Sequence, residues 1–204
     1  MAPRPFLPDT AALILIDHQV GTMQLIKTLD APTVKRFAPA LAKAAKILEM
    51  PVVLTSSQED PVQGPLFRVL AELLPDAYAA RVQRAGIVNA WTDPNFRAAM
   101  EATGRRQLIM GGVTTDVCLI YPTISAVEDG YEVQAVLDVS GSPFELSEET
   151  ARKRMELAGV QFTATNTIIA ELAQDWSTPH GRQLIQLLFT DVLPAVTPPA
   201  QVAQ

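Results

Sequence analysis

Cysteine is almost missing from this chain: there is one, Cys118, in 204 residues. No internal disulfide can form, which fits a reducing compartment and excludes a disulfide-stapled scaffold. Histidine is nearly as scarce. His18 and His180 lie far apart, with no cysteine or second histidine at ligand spacing, so the expectation is no metal and no cofactor. Basic clusters are missing too. The 16 lysines and arginines are set against 22 acidic residues for a net charge of -6. The densest basic group, Arg152-Lys153-Arg154, has glutamates on both sides and reads as a solvated helix face, so no nucleic-acid partner is expected. Finally, no apolar run reaches the length of a membrane span, and MAPRPFLPDT has no apolar stretch behind its arginine. The expectation is a cytoplasmic protein that needs no membrane.

What remains is enough to fill a core, with 48% hydrophobic and 19% charged residues. Ala11 to Ile16 (AALILI) is a near-continuous apolar run that ends at Asp17, the pattern of a strand buried on both faces. Pro32 to Met50 repeats apolar residues at helical spacing, and VVLT after Pro51 restarts as a strand. Ala85 to Val88 reads as a short extended piece. Asp93-Pro94 opens a helix that Gly104 ends. Gln107 to Met110, Tyr131 to Leu137 and Val160 to Thr163 read as further strands, with helices over Thr115 to Glu128 and Glu148 to Leu157. Two more helical stretches lie around Ile168 to Asp175 and Gly181 to Phe189, and the tail VTPPAQVAQ reads as a loose terminus.

Strands alternating with helices imply βαβ units and a mainly parallel sheet with helices on both faces. No linker divides the chain, so the expectation is a single α/β domain over 1–204, a three-layer αβα sandwich.

In such a sheet, ligands bind beyond the carboxyl ends of the strands. Three polar positions fall there: Asp17, the Thr114 to Cys118 segment, and Asp138. Cys118 follows GGVTTDV where a strand turns into a helix. A lone cysteine is commonly a small buried hydrophobe. At a helix N-terminus it is also placed for thiolate chemistry, with Asp17 to take the proton and turn amides to hold an oxyanion. His18 reads as a hydrogen-bonded structural residue. Thr55, Ser56 and Ser57 fit a turn or a substrate contact equally. The residues alone leave the role of Cys118 open.

The segments ALILIDHQVGTM, RAGIVNAWTDPNF and TGRRQLIMGGVTTDVCLIYPTISAVEDGYEVQAVLDVSG together resemble the isochorismatase-like cysteine hydrolases, in particular their YcaC-type branch. The likeness runs in order from about Asp9 to Trp176 and is most specific between Arg106 and Gly141. It implies the same αβα sandwich and hydrolysis of amide-like C–N bonds in small molecules. The name-giving member instead cleaves a vinyl ether without the cysteine. The family site is an Asp, Lys and Cys triad. Asp17 matches the aspartate, Cys118 the nucleophile, and Arg84 stands where most members have lysine. Val113-Thr114 falls at the family's non-proline cis peptide, which implies oxyanion donors at Thr114 and Cys118.

Asn89 and Trp91, after Arg84, are candidate substrate contacts, and Trp91 either walls the pocket or packs in the core. Tyr121 and Pro122 either face the pocket or pack. The metal-binding histidines of the nicotinamidase branch have no counterpart in TSSQEDP, so nicotinamide and metal are both disfavoured. Oligomers are common in the family, which implies a homo-oligomer, and RQLIQLLF (Arg182 to Phe189) either forms an interface or completes the core. A second class of function stays open on the same fold: a binding or redox-responsive protein with Cys118 as sensor thiol.

Overall fold

We describe residues 4–59 and 62–195 of a computed structural model of the chain. The tail from 196 onward, read above as a loose terminus, lies outside the described residues. Six parallel strands form one sheet: β1 (Ala11–Ile16), β2 (Val52–Ser57), β3 (Val82–Arg84), β4 (Gln107–Gly112), β5 (Glu132–Val136) and β6 (Gln161–Thr163). Their spatial order is β3-β2-β1-β4-β5-β6. The chain builds outward from β1 in one direction, then returns to build outward from β4 in the other. The boundary between β1 and β4 is therefore a topological switch point, where a crevice opens beyond the strand ends.

The unbroken apolar run of β1 has a simple cause. Alternate side chains point to opposite faces, and both faces are covered. Leu13 and Leu15 belong to one core with Val34, Leu41, Ile168 and Leu184. Ala12, Ile14 and Ile16 belong to another with Phe96, Met100, Ile120 and Met155. The first layer holds α1 (Ala31–Ile47), α2 (Arg68–Leu73), α3 (Pro75–Ala79), α7 (Thr165–Ala173) and α8 (Pro179–Leu187). The second holds α4 (Pro94–Ala102), α5 (Ile120–Glu128) and α6 (Glu145–Leu157). This is the three-layer αβα sandwich expected from the pattern. Among the described residues no helix is long and apolar enough to cross a membrane.

Local signals explain the helix starts. Asp93 accepts from the backbone N–H groups of Asn95 and Phe96 at 2.9 and 3.1 Å, with Pro94 as the first residue of α4. Such a cap is worth about 1 kcal/mol. Asp138 acts in a similar way at the start of α7, where its carboxylate accepts from the backbone and hydroxyl of Thr165.

Three segments differ from the pattern reading. The short strand expected at Ala85 to Val88 lies three residues earlier, because Val82, Gln83 and Arg84 pair with Thr55, Ser56 and Ser57. Gly86, at φ +136°, then turns the chain away. The helix after β4 begins as a wide π turn over Thr115–Leu119 before α5. The C-terminal apolar stretch completes the core through Leu184, Leu187 and Leu188, leaving Phe189 exposed.

Candidate active site

Ile16 at the end of β1 is in register with Gly112 at the end of β4. The next residues of the two strands, Asp17 and Val113, therefore leave the sheet side by side at the switch point. Asp17 turns sharply, with φ at +57°, a left-handed conformation that aspartate tolerates better than most residues. Its own N–H stays tied to the Thr55 carbonyl at 2.9 Å. After β4 the Val113–Thr114 peptide is cis. The two glycines before it allow close packing. A Cβ on Gly111 would sit 2.6 Å from Val139 Cγ2, and one on Gly112 would sit 3.2 Å from the backbone of Leu119.

Arg84 reaches the same point from the end of β3. Its Nη2 donates to both carboxylate oxygens of Asp17 at 2.5 Å. Nε donates to Thr55 Oγ1 at 3.1 Å, and Nη1 to the carbonyls of Ile87 and Val88. Thr55 in turn donates to the Val82 carbonyl. This is a built ion pair in the interior, with Arg84 2% and Asp17 1% exposed, and not a surface pair.

Cys118 completes the group: it lines the same cavity as Asp17 and Arg84, and its thiol interacts with both. Burial pushes the Asp17 carboxyl above its ordinary 3.8, against the pull of Arg84 and of the thiol. Burial also pushes the Cys118 thiol well above its ordinary 9.0, and the Asp17 charge and hydrogen bond push it further. A backbone hydrogen bond from Thr114, and the Arg84 charge, act the other way. Two forces therefore oppose the helix-start argument for a ready thiolate. Desolvation and a neighbouring carboxylate outweigh the backbone and the Arg84 charge, so the net push on the thiol is upward.

The oxyanion donors differ from the expectation in one respect. The Thr114 backbone N–H points toward the sulfur. The Cys118 N–H is engaged with the Thr114 carbonyl at 2.8 Å, which Leu119 N–H shares at 3.1 Å.

These groups form the floor of a cavity of about 400 Å³, within the usual range for a small-molecule site. Its walls come from Gly21, Thr22 and Leu25, from Ser57 and Gln58, from Val62 and Gln63, and from Val88 and Val117. Gln19 ties the walls together. Its side chain accepts from Ser57 N–H at 2.8 Å and donates to the carbonyls of Ser57 and Gly64. Gly21 lets the walls meet, since a Cβ there would lie 1.9 Å from the Val62 carbonyl oxygen.

Asn89 and Trp91 stand apart from this cavity. Asn89 Oδ1 accepts from Trp91 N–H to start the turn Ala90–Thr92, and its amide donates to Ser125. Trp91 is buried edge-on against Phe96 and Tyr131, with Nε1 donating to Asp129 at 2.8 Å. Pro122 is buried in α5, and Tyr121 packs in the second core beneath Arg154. Asp138 is the helix cap described above. His18 is structural: buried, with Nε2 donating to the Val139 carbonyl at 2.8 Å. Among the described residues, no group of three or more His, Cys, Asp or Glu side chains could hold a metal ion.

Pattern reasoning missed the wall from Gly21 to Leu25 and the residues facing it. The available signal was QVGT directly after DH, a polar and glycine-bearing turn following a buried strand end.

A model of the isochorismatase domain matches residues 11–167. The chain therefore belongs to the isochorismatase family of hydrolases. It is 37% identical to the probable hydrolase YcaC of Escherichia coli over 186 residues, covering 91% of this chain and 88% of that one. The solved structure of that YcaC, described as an octameric hydrolase of unknown specificity, superposes with a TM-score of 0.88 at 35% identity, over 94% of this chain and 93% of that one. YcaC from Pseudomonas aeruginosa, solved with hexane-2,5-diol and covalent acrylamide, gives the same TM-score and identity over 94% of both chains.

Proposed function

We propose that this protein hydrolyses an amide-like C–N bond of a small molecule through a thioester on Cys118. The observation that carries this reading is the cavity that Cys118 and Asp17 line together, with Asp17 itself fixed by Arg84.

In the first step the Cys118 proton passes to Asp17 as the sulfur attacks the carbonyl carbon. The S–C bond forms and the carbonyl oxygen becomes an oxyanion facing the Thr114 N–H. Collapse breaks the C–N bond, and Asp17 returns the proton to the departing nitrogen. Water then gives a proton to Asp17 and attacks the thioester. The acid leaves and the sulfur regains its proton. Arg84 takes no proton at any step, since guanidinium stays charged. It holds the carboxylate in line.

The raised carboxyl pKa suits Asp17 to this exchange, because a base nearer neutrality both accepts and returns a proton readily. A sensor thiol fits less well: the Asp17 carboxylate and desolvation both disfavour the reactive thiolate, and no second cysteine exists to resolve it. Assembly into a homo-oligomer belongs to the same proposal. It draws on the octameric relative and on Phe144, Leu146 and Leu157, apolar side chains 71 to 77% exposed.

The test is Cys118→Ala and Cys118→Ser against a panel of small amides, with intact mass read during turnover. The expected result is no hydrolysis by either variant, an unchanged melting curve, and an acyl adduct on the parent protein. Full activity in Cys118→Ala would remove the thioester from the mechanism.

A further inference from the structure

Among the described residues, the cavity holds charge in one place. Among the described residues that line it, the ionisable side chains besides Cys118 are Asp17 and Arg84, and these neutralise one another. A cationic arginine beside a nucleophile commonly anchors a substrate carboxylate through its donor fork. Here each nitrogen is already engaged: Nε with Thr55, Nη1 with the Ile87 and Val88 carbonyls, Nη2 with Asp17. An anionic substrate would enter beside the Asp17 carboxylate and find no free guanidinium donor. A cation would meet a carboxylate already paired. Either would lose its water without gaining a partner, which a buried charge does not tolerate.

The remaining wall is mostly apolar, with Leu25, Val62, Val88 and Val117 around the opening. Ser57, Gln58 and Thr114 add polar groups to it, and a further hydroxyl is both buried and unpartnered. Thr22 is 8% exposed and its hydroxyl meets no partner, although it stands on the cavity wall. Buried hydroxyls are rarely left so. A χ1 rotation that turns it toward a ligand gives up no hydrogen bond.

Resting on the thioester reading above, the geometry points to an uncharged aliphatic carboxamide as the substrate class, with the Thr22 hydroxyl hydrogen-bonding its polar end. Amides bearing a carboxylate or an ammonium group are excluded by the same accounting.

A matched pair of thiol reagents tests this without a known substrate. Iodoacetamide is a neutral carboxamide, and iodoacetate is its anionic counterpart of nearly the same size. Their rates on Cys118 are compared in the folded protein and in the urea-unfolded chain, which supplies the intrinsic ratio. The expected result is a preference for iodoacetamide at least about tenfold above that ratio. Thr22→Val should slow iodoacetamide about fivefold and leave iodoacetate unchanged, while Thr22→Ser should restore the rate. Melting curves confirm that each variant is folded. Equal discrimination by folded and unfolded chains would overturn the assignment of an uncharged substrate and leave Cys118 as nucleophile. An unaffected Thr22→Val would remove Thr22 from recognition. If neither reagent labels the folded protein while both label the unfolded chain, the nucleophile itself is wrong and the substrate assignment falls with it.

Discussion

Arg84 Nη2 lies 2.5 Å from each carboxylate oxygen of Asp17, and both side chains are 1% exposed. Taking two charges out of water is expensive, and the pair offsets that cost only while both members are present. Truncating one leaves the other buried and uncompensated. Arg84→Met is therefore expected to lower the unfolding free energy by about 3–5 kcal/mol, read from urea denaturation with an unchanged slope. Arg84→Lys keeps the charge but has a single nitrogen to serve Asp17, Thr55 and two carbonyls, so its loss should be intermediate. If Arg84→Met melts like the parent, the pair is not what holds this corner of the fold.

In the proposed mechanism the carboxylate that serves as base also suppresses the thiolate. Asp17 raises the Cys118 pKa both by its charge and by its hydrogen bond, while Arg84 and the Thr114 backbone lower it. Removing the charge in Asp17→Asn should bring the thiol pKa down. Alkylation by iodoacetamide at pH 8 should then become faster, while turnover of any amide substrate disappears because no base remains. Reactivity and catalysis would move in opposite directions. Parallel loss of both would mean that Asp17 stabilises the thiolate, contrary to the balance of burial and charge described here.

His18 makes a separate, pH-dependent contribution. Burial lowers its pKa from 6.5 to about 4, against hydrogen bonds to Val139 and Ile16 that raise it. The folded-state value lies below the unfolded one, so between pH 6.5 and 4 the unfolded chain binds the extra proton. The stabilisation is complete above pH 6.5 and is lost as the pH falls toward 4. The full shift corresponds to about 3 kcal/mol. Other groups titrate in this range, so the informative quantity is the difference from His18→Gln, which keeps a donor for the Val139 carbonyl. Unfolding free energies at pH 7 and pH 4 should differ less in the variant by about that amount. Equal pH slopes in the two proteins would show that His18 is protonated in the fold.

Much of this architecture was legible in the chain because periodicity reports burial. The apolar runs of β1 and β4 are continuous since both sheet faces are covered, and Asp17 and Cys118 stand where those runs stop. Arg84 was reachable only through family resemblance. Its strand, β3, is three residues long and is set by pairing with β2, which leaves no periodic signal. Helices α2 and α3 are similarly short and leave no pattern long enough to read. The cavity walls escaped for another reason. Thr22 and Val62 come from loops about forty residues apart, brought together by Gln19 and by the missing Cβ of Gly21, and nothing local in either loop announces the other.

Trp91 and Asn89 mark the reverse case, where proximity in sequence to Arg84 suggested a pocket and the structure uses both residues to build the fold. The chain turns at Gly86, so the residues after it pass behind the cavity to α4. Trp91 packs there on Phe96 and Tyr131 and ties Asp129 at the end of α5. Trp91→Ala should cost about 3–5 kcal/mol of stability through the cavity it leaves. Asn89→Ala should cost about 1 kcal/mol through the lost turn cap. Trp91→Phe keeps most of the packing, so it can be assayed at 25 °C as a folded protein. Its KM for an amide substrate should match the parent, because the indole touches the second core and not the ligand. A KM raised severalfold in Trp91→Phe, with an unchanged melting temperature, would put this side chain back among the substrate contacts.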